Sequence, residues 1–550
     1  MTYAPDSLPD NPQELRRLAE QMARQLAVYE QEVSAKDERI EQLLDYIQLL
    51  RQKQFGAKAD RLNKAQLSLF DEAELEALIG ELEAELEEAQ QEQDTTATTP
   101  TSSARKTPKR TPLPSHLTRI ERIIDLNDEQ KAALGEGWVL IGYETAEQLA
   151  VIPRQYYVVA TKRAKYAPAN DQVPGADQGP RVAARPPQIL PKALGHSSLI
   201  AQVVTHKFID GLPLYRQEAI FSREGIDLSR QTMSGWMLAL AEPLAPLMAA
   251  LRRELLSGPV MQIDETPLQV LREPDREATQ TSYMWVYRGG PPSQPVIWFQ
   301  YAASRAAEVP HDFLFADEAP PEAPPDGAAS APCFYLQSDG YSAYHVLARH
   351  DAVRGHMACW AHVRRGFVDA AKARQRTGAA HQMVAMIGKL YQVERELKEL
   401  TPDERREARQ ERARPILDRI KGWLDSKAEK ALPKGKLGEA IRYTLNLWPQ
   451  LTTYLEDGHL AIDNNLTENA IRPFVIGRKG WLFAGSPKGA DASAMLYTLV
   501  ETAKANGLDP HTYLTHIFEH LPRATTPDAV RSLLPQQLTM ADITPLPQSC

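Results

Sequence analysis

The sequence predicts a multidomain α+β protein, with long helices near the N-terminus and a sheet-bearing domain in the second half. Three observations lead there. Apolar residues recur in heptads near the start of the chain, and a Gly-centred turn later separates two helix-like segments. From Val260 onward, short β-branched and aromatic runs end at acidic residues. At 550 residues the chain can form several domains, each with its own core.

The first element, over 12–92, reads as coiled-coil helices. Leu15, Met22, Tyr29, Lys36, Leu43 and Leu50 recur every seven residues, and Ala19, Leu26, Val33, Ile40 and Ile47 form the second series. Together they make an a/d seam with one polar interruption at Lys36, which predicts a homo-oligomer held through this segment. An acidic helix follows, with Leu75, Leu78, Leu82 and Leu86 on one face. Residues 93–115, rich in Thr, Ser, Pro, Lys and Arg, read as a flexible linker.

Residues 116–187 carry short alternating stretches and read as a small β module. The block at 188–256 is helical, with a helix from Leu214, a turn at Gly225 and a second helix capped by Ser229. This is a helix-turn-helix-like pattern for DNA binding, and Arg230, Gln231 and Ser234 lie at the exposed start of its second helix. A helical hairpin with a Gly turn also occurs in proteins that never touch DNA.

The domain at 257–523 carries the chemistry. Asp264 ends one strand-like run, Asp339 ends another, and Glu468 opens a helix-like segment behind Asp463 and Asn464. Strands are expected at 283–287, 296–301 and 334–337, which gives antiparallel strands followed by one that carries the second aspartate. That is the layout of a ribonuclease-H-like sheet. The 129 positions between Asp339 and Glu468 exceed what a strand and helix need, so a helical insertion is expected at about 370–455. Residues 316–332 read as a disordered loop, and 524–550 as a C-terminal tail. Two strand-end aspartates and a helical glutamate suit a pair of Mg²⁺ ions about 3.5–4 Å apart, which clamp the attacking and leaving oxygens of a phosphoryl transfer. With 72 acidic residues in the chain, the triad alone is weak evidence.

Local motifs sharpen it. Asp264-Glu265-Thr266-Pro267, Ser338-Asp339-Gly340-Tyr341 and Cys359-Trp360-Ala361-His362-Val363-Arg364-Arg365 resemble those of the insertion sequence 66 family of transposases. So do Ile462-Asp463-Asn464-Asn465 through Glu468, Ala470-Ile471-Arg472-Pro473, Gly477-Arg478-Lys479 and Trp481-Leu482-Phe483-Ala484-Gly485-Ser486. The resemblance implies a DDE-type DNA transposase with a ribonuclease-H-like core. Its metal ligands would be Asp264, Asp339 and Glu468, holding two Mg²⁺ ions, with Mn²⁺ as a substitute. It further implies element-end and target DNA as partners, together with small accessory proteins of the same element. The family carries a cysteine-based zinc module where this chain has 116–187. No cysteine occurs before Cys333, so no zinc is expected there and the module is degenerate.

Further candidates follow from residue chemistry. Arg364, Arg365, Arg472, Arg478 and Lys479 suit phosphate contacts. Cys359 and His362 could be half of a zinc site, but no second pair is evident, so a structural role beside the active site is the stronger reading. Core packing is the stronger reading for Trp481 and Phe483.

Composition bounds the rest. Hydrophobic content of 43% and charged content of 25% fit a soluble globular protein. No apolar run of about 18 residues occurs, so no membrane span is expected. The N-terminus lacks a secretory pattern, and three cysteines argue for a reducing cytoplasm. The family resemblance implies a bacterial one, with nucleoid association when bound to DNA. The net charge of −9 is concentrated at 71–94, where eleven acidic residues stand without a Lys or Arg; the remainder sums to +2. Mean charge therefore neither supports nor excludes DNA binding. A non-catalytic DNA-binding descendant of a transposase and a hydrolytic nuclease with the same core both remain as alternatives. A paired-carboxylate glycosidase has little beyond the acids themselves.

Overall fold

The computed structural model describes residues 156–166, 181–315, 333–372 and 378–544, together with Met22. The heptad seam, the acidic helix, the 93–115 linker and the 316–332 loop fall outside these residues, as does most of 116–187. The chain divides into two compact units, one over 90–185 and the other holding everything from Pro186 onward. In the former, β1 (Lys165–Tyr166) pairs antiparallel with β2 (Arg181–Val182), and Arg163 donates to the Ala183 carbonyl at 3.0 Å.

The larger unit opens with four helices: α1 (Ser197–Phe208), α2 (Leu214–Arg223), α3 (Arg230–Ala239) and α4 (Ala241–Leu256). The turn between α2 and α3 needs a residue with positive φ, and Gly225 supplies it at +75°. Ser229 caps α3 as expected, its Oγ accepting the Thr232 amide at 3.2 Å. Met233, Trp236 and Met237 turn inward, while Arg230, Gln231 and Ser234 are exposed.

A five-stranded mixed sheet follows: β3 (Val260–Gln269), β4 (Thr281–Gly289), β5 (Val296–Ala302), β6 (Phe334–Ser338) and β7 (Val353–Ala358), in spatial order β5-β4-β3-β6-β7. The first three strands are antiparallel meanders, and β6 and β7 join parallel to β3. Helix α5 (Glu308–Phe315) leaves β5, and α6 (Ser342–Leu347) leaves β6. Two details differ from expectation. Asp264 does not end its strand: β3 runs five residues further, zipped to β4 alone through Gln269. Strand β7 was not foreseen, because Val353-Arg354-Gly355-His356 breaks the apolar alternation that marks a strand.

The stretch between Asp339 and Glu468 is largely helical, as expected. It comprises α7 (Trp360–Lys372), α8 (Ala379–Glu396), α9 (Pro402–Arg412), α10 (Arg414–Ala428), α11 (Lys436–Asn446) and α12 (Trp448–Thr452). These close on a core that continues onto β7 through Met357 and Ala358 and includes Phe367, Val384, Ile387, Leu390, Leu417, Ile420 and Ile441. Arg409 sits buried there. It pairs with Glu394 at 2.6 Å and donates to the carbonyls of Tyr454, Asp457 and Leu460. A guanidinium with every side engaged ties the insertion to the segment that runs on to Glu468.

The chain then returns to the sheet through α13 (Asn465–Trp481), α14 (Pro487–Ala505) and α15 (Pro510–His520). Edge strand β5 is not left open. Thr498 and Thr502 of α14 accept the amides of Phe299 and Ile297 at 2.9 and 3.1 Å, which blocks pairing with another strand. Helix α1 packs on α13, α14 and α15, and α3 packs on α14. The helix-turn-helix-like block and the C-terminal helices therefore share a core. No single described helix is long and apolar enough to cross a membrane.

Candidate active site

The site lies where β3 and β6 part. Their parallel pairing stops at Gln262 opposite Gln337. Two residues further, the strands carry Asp264 and Asp339 at the mouth this opens. Asp339 closes a tight turn, its Oδ1 accepting the Tyr341 amide at 2.9 Å. Gly340 follows because the insertion docks there: a Cβ would stand 2.8 Å from Leu447 Cδ1 and 3.0 Å from the Tyr443 ring.

Glu468 arrives on the first turn of α13. Asn464 precedes that helix, but its side chain makes no capping bond. Instead its Nδ2 donates to the Ile263 carbonyl at 3.4 Å, and Asp463 Oδ1 accepts the Asn465 amide at 3.2 Å. The residue that signals a cap is thus used to tether α13 to the strand carrying Asp264. Glu468 is buried at 4% exposure.

Asp264, Asp339 and Glu468 come together electrostatically. Burial pushes the Asp264 carboxyl well above its usual range, and the charges of Glu265, Glu468 and Asp339 raise it further. The Glu265 amide, donating to Asp264 Oδ1 at 2.8 Å, opposes part of this. Carboxylates so placed repel one another unless a cation shares them.

Sequence reasoning missed a second buried acid. Glu265 points from the other face of β3. Arg305 Nε donates to it at 2.6 Å, and the Tyr344 hydroxyl also donates to it. Burial raises its carboxyl as well, as does Asp339, while Arg305 counteracts. Its position beside Asp264 was the only signal. Arg305 and Tyr344 gave none, because the pairing joins residues 40 and 79 positions away.

The basic candidates separate. Arg365 lies beside the acid rather than facing outward, its Nη2 3.6 Å from Glu468 Oε2. Arg364 stacks over the Tyr391 ring at 5.2 Å, and Arg472 is half-buried. Arg478 is buried at 9% exposure, donates to Thr266 Oγ1 at 3.4 Å, and is brought down to about 10 by burial. That placement gives it little reach to a phosphate. Lys479 is exposed, as are Arg230, Gln231 and Ser234.

Trp481 is half-buried, edge-on to Phe474 at 5.5 Å, and Phe483 is 42% exposed, so neither lies in the core. Cys359 and His362 stand against Glu468: His362 Nδ1 is 3.6 Å from its Oε1, and Cys359 Sγ accepts the Asn464 amide at 3.2 Å.

Residues 192–492, more than half of the chain, match the family described as "Transposase IS66 family". The chain belongs to that family. Residues 498–536 match its "IS66 C-terminal element", and 42–122 match the family described as "Transposase C of IS166 homeodomain". The chain also resembles curated relatives of similar length. A Sinorhizobium fredii protein named "Uncharacterized protein y4qI" is 31% identical over 96% of this chain and 97% of its own. A second, "Uncharacterized protein y4jD", is 31% identical over 77% of this chain and 81% of its own. Membership in the IS66 family carries a transposase role, with DNA as the partner. The IS66 match spans the helix-turn-helix-like block and all three acids, so the site described above lies inside it.

Proposed function

We propose that this chain is a DDE-type DNA transposase that cuts element ends and joins them to target DNA, using Asp264, Asp339 and Glu468. The observation that carries the reading is that the Asp264 carboxyl, at the open end of the β3–β6 pair, feels the charges of both Asp339 and Glu468. We take the sheet to be ribonuclease-H-like, on the strength of its order and its three antiparallel and two parallel strands.

The residues fit divalent metal. All three offer hard oxygen, and Glu468 Oε1 is buried without a hydrogen-bond partner among the described residues. Two Mg²⁺ ions held by Asp264, Asp339 and Glu468, or Mn²⁺ in their place, would supply Lewis-acid activation and charge neutralisation at the reacting phosphate. The protein's own groups then do the positioning. Arg365 and His362 hold the Glu468 carboxylate, while Arg305 and Tyr344 fix Glu265 beside Asp264 and offset part of its charge.

In the first step, water attacks the phosphodiester at the element end. A P–O bond forms as the bond to the 3′ oxygen breaks, freeing a 3′-OH. In the second, that hydroxyl attacks a target phosphodiester in the same way. The exposed start of α3, with Arg230, Gln231 and Ser234, is the proposed sequence reader, and Lys479 a phosphate contact. The same reading has the chain assembling through its N-terminal heptads, acting in the bacterial cytoplasm and working with small proteins of its own element.

Strand transfer by the purified protein on labelled element ends with Mg²⁺ tests this. Joined products that vanish in Asp264→Asn, Asp339→Asn and Glu468→Gln support it. Cleavage without joining would make the protein a nuclease instead, and DNA binding without either would make it a non-catalytic binder.

A further inference from the structure

Glu468 has a second set of neighbours, of which the reading above uses only His362, and only to steady the carboxylate. Cys359 follows β7, and His362 lies in the first turn of α7. The Trp360 amide donates to the Ile462 carbonyl at 3.2 Å, and its indole donates to the Leu451 carbonyl at 2.8 Å, which locks the strand-to-helix junction. That junction turns both side chains toward Glu468. Ligand atoms of Cys359, His362 and Glu468 all lie within 4.8 Å of one another, and His362 Nδ1 is 3.6 Å from Glu468 Oε1. Donor atoms around a tetrahedral zinc ion are separated by about 3.3–3.8 Å, given bonds of about 2.0–2.3 Å. A small closure therefore suffices.

We infer that Cys359, His362 and Glu468 form a binding site for a thiophilic divalent cation of the zinc class, distinct in ligand chemistry from the oxygen site of Asp264 and Asp339. Two unsatisfied atoms point to a ligand: among the described residues, neither Glu468 Oε1 nor His362 Nδ1 has a hydrogen-bond partner, although both are buried. The sulfur is prepared for negative charge, since Cys359 Sγ accepts the Asn464 amide at 3.2 Å. One thiolate, one carboxylate and one neutral imidazole cancel a double positive charge, so the filled site is neutral in a buried setting. Mg²⁺ prefers six oxygens and leaves this set to softer ions. Binding as the thiolate releases the thiol proton to solvent.

The site rests on geometry alone. Its consequence for turnover rests on the proposed role of Glu468. A carboxylate committed to a zinc-class ion is withdrawn from Asp264 and Asp339, so such ions would suppress Mg²⁺-dependent strand transfer.

Cobalt(II) titrated into the metal-free full-length protein tests the site without DNA or turnover. A saturable near-ultraviolet thiolate-to-cobalt band is expected, bleached by Zn²⁺. It should be lost in Cys359→Ser and kept in the double variant Cys333→Ser/Cys550→Ser, and also in Asp264→Asn. Should Cys359→Ser fail to fold, His362→Gln decides: it keeps the sulfur and should weaken cobalt binding about ten-fold or more. Absence of the band, its survival in Cys359→Ser, its loss with Cys333 and Cys550, or unchanged affinity in His362→Gln would each overturn the site. Strand transfer without a cobalt signal would sink this inference alone. A cobalt signal without strand transfer would sink only the transposase mechanism.

Discussion

The side-chain amide of Gln262 donates to Gln337 Oε1 at 2.8 Å, in the buried seam between β3 and β6. Each glutamine stands two residues before an acid of the site, Asp264 or Asp339. The contact continues in both directions. Thr467 Oγ1 donates to Gln262 Oε1 at 2.8 Å, and Gln337 Nε2 donates to the carbonyls of Ala461 and Asp463 at 2.9 and 2.8 Å. One buried relay thus sets the register of the three segments that bear Asp264, Asp339 and Glu468.

Cutting this relay is expected to cost more than packing. Gln337→Leu strands the Gln262 amide and two backbone carbonyls, at about 1–3 kcal/mol for each buried group that loses its partner. Urea unfolding should show that loss, and strand transfer should fall further than the folded fraction does. A Gln337→Leu protein of wild-type stability would mean that water replaces the bonds and that the relay fixes nothing.

Protonation of the site should stabilise the metal-free fold. Asp264 and Glu265 are raised above their ordinary range by burial first, and then by neighbouring acids. Such groups add stability that is fully present below the ordinary carboxylate pKa, about 4, and is lost as pH rises through the raised value. Without divalent metal, Asp264→Asn should therefore melt above the wild type at neutral pH, and the gap should shrink as pH falls toward that ordinary range. Mg²⁺ should raise the wild-type midpoint more than that of the variant. A pH-independent gap in calorimetry would contradict this account.

The proposed reading helix, α3, gives a separable test. Gln231→Ala removes an exposed side chain able to pair with adenine, where a good bidentate contact gives about 1–3 kcal/mol of discrimination. Preference for the element end over a scrambled duplex should drop, with little change on the scrambled one. Lys479→Ala should instead weaken both and flatten the salt dependence. Arg478→Ala should act mainly on stability, because that side chain is buried against Thr266. Equal losses on both duplexes for Gln231→Ala would make α3 a structural helix.

The heptads predict self-association. Ile40→Asp places a charge in the apolar seam and should shift sedimentation toward the monomer. A wild-type protein that is monomeric at micromolar concentration, with and without DNA, would refute the seam as an oligomer contact.

What the sequence disclosed followed from local chemistry. The Ser229 cap, the Gly225 turn and the apolar runs of β4, β5 and β6 are written in neighbouring residues, so they could be read directly. The acids stood out because each has a distinctive short context. Strand β7 stayed hidden, since exposed Arg354 and then Gly355 and His356 interrupt its apolar run before Met357. Arg478 looked like a surface cation until α13 turned it onto Thr266, 212 positions away. The role of Gln262 was invisible for the same reason: its partners lie 75 and 205 residues off.

The packing of α1 and α3 onto α13, α14 and α15 has a consequence for measurement along DNA. Two tethered domains could tolerate variable spacing between a recognised sequence and a cut bond. If α3 reads sequence and the β3–β6 acids cut, as proposed, a helix and a sheet that share packed helices leave less room for such variation. On that proposal the protein would work as a fixed gauge. Each base pair added between the recognised bases and the cleavage point advances the duplex by about 3.4 Å and turns it by roughly a tenth of a revolution. Cleavage would hold its distance from the recognised bases rather than follow the displaced end.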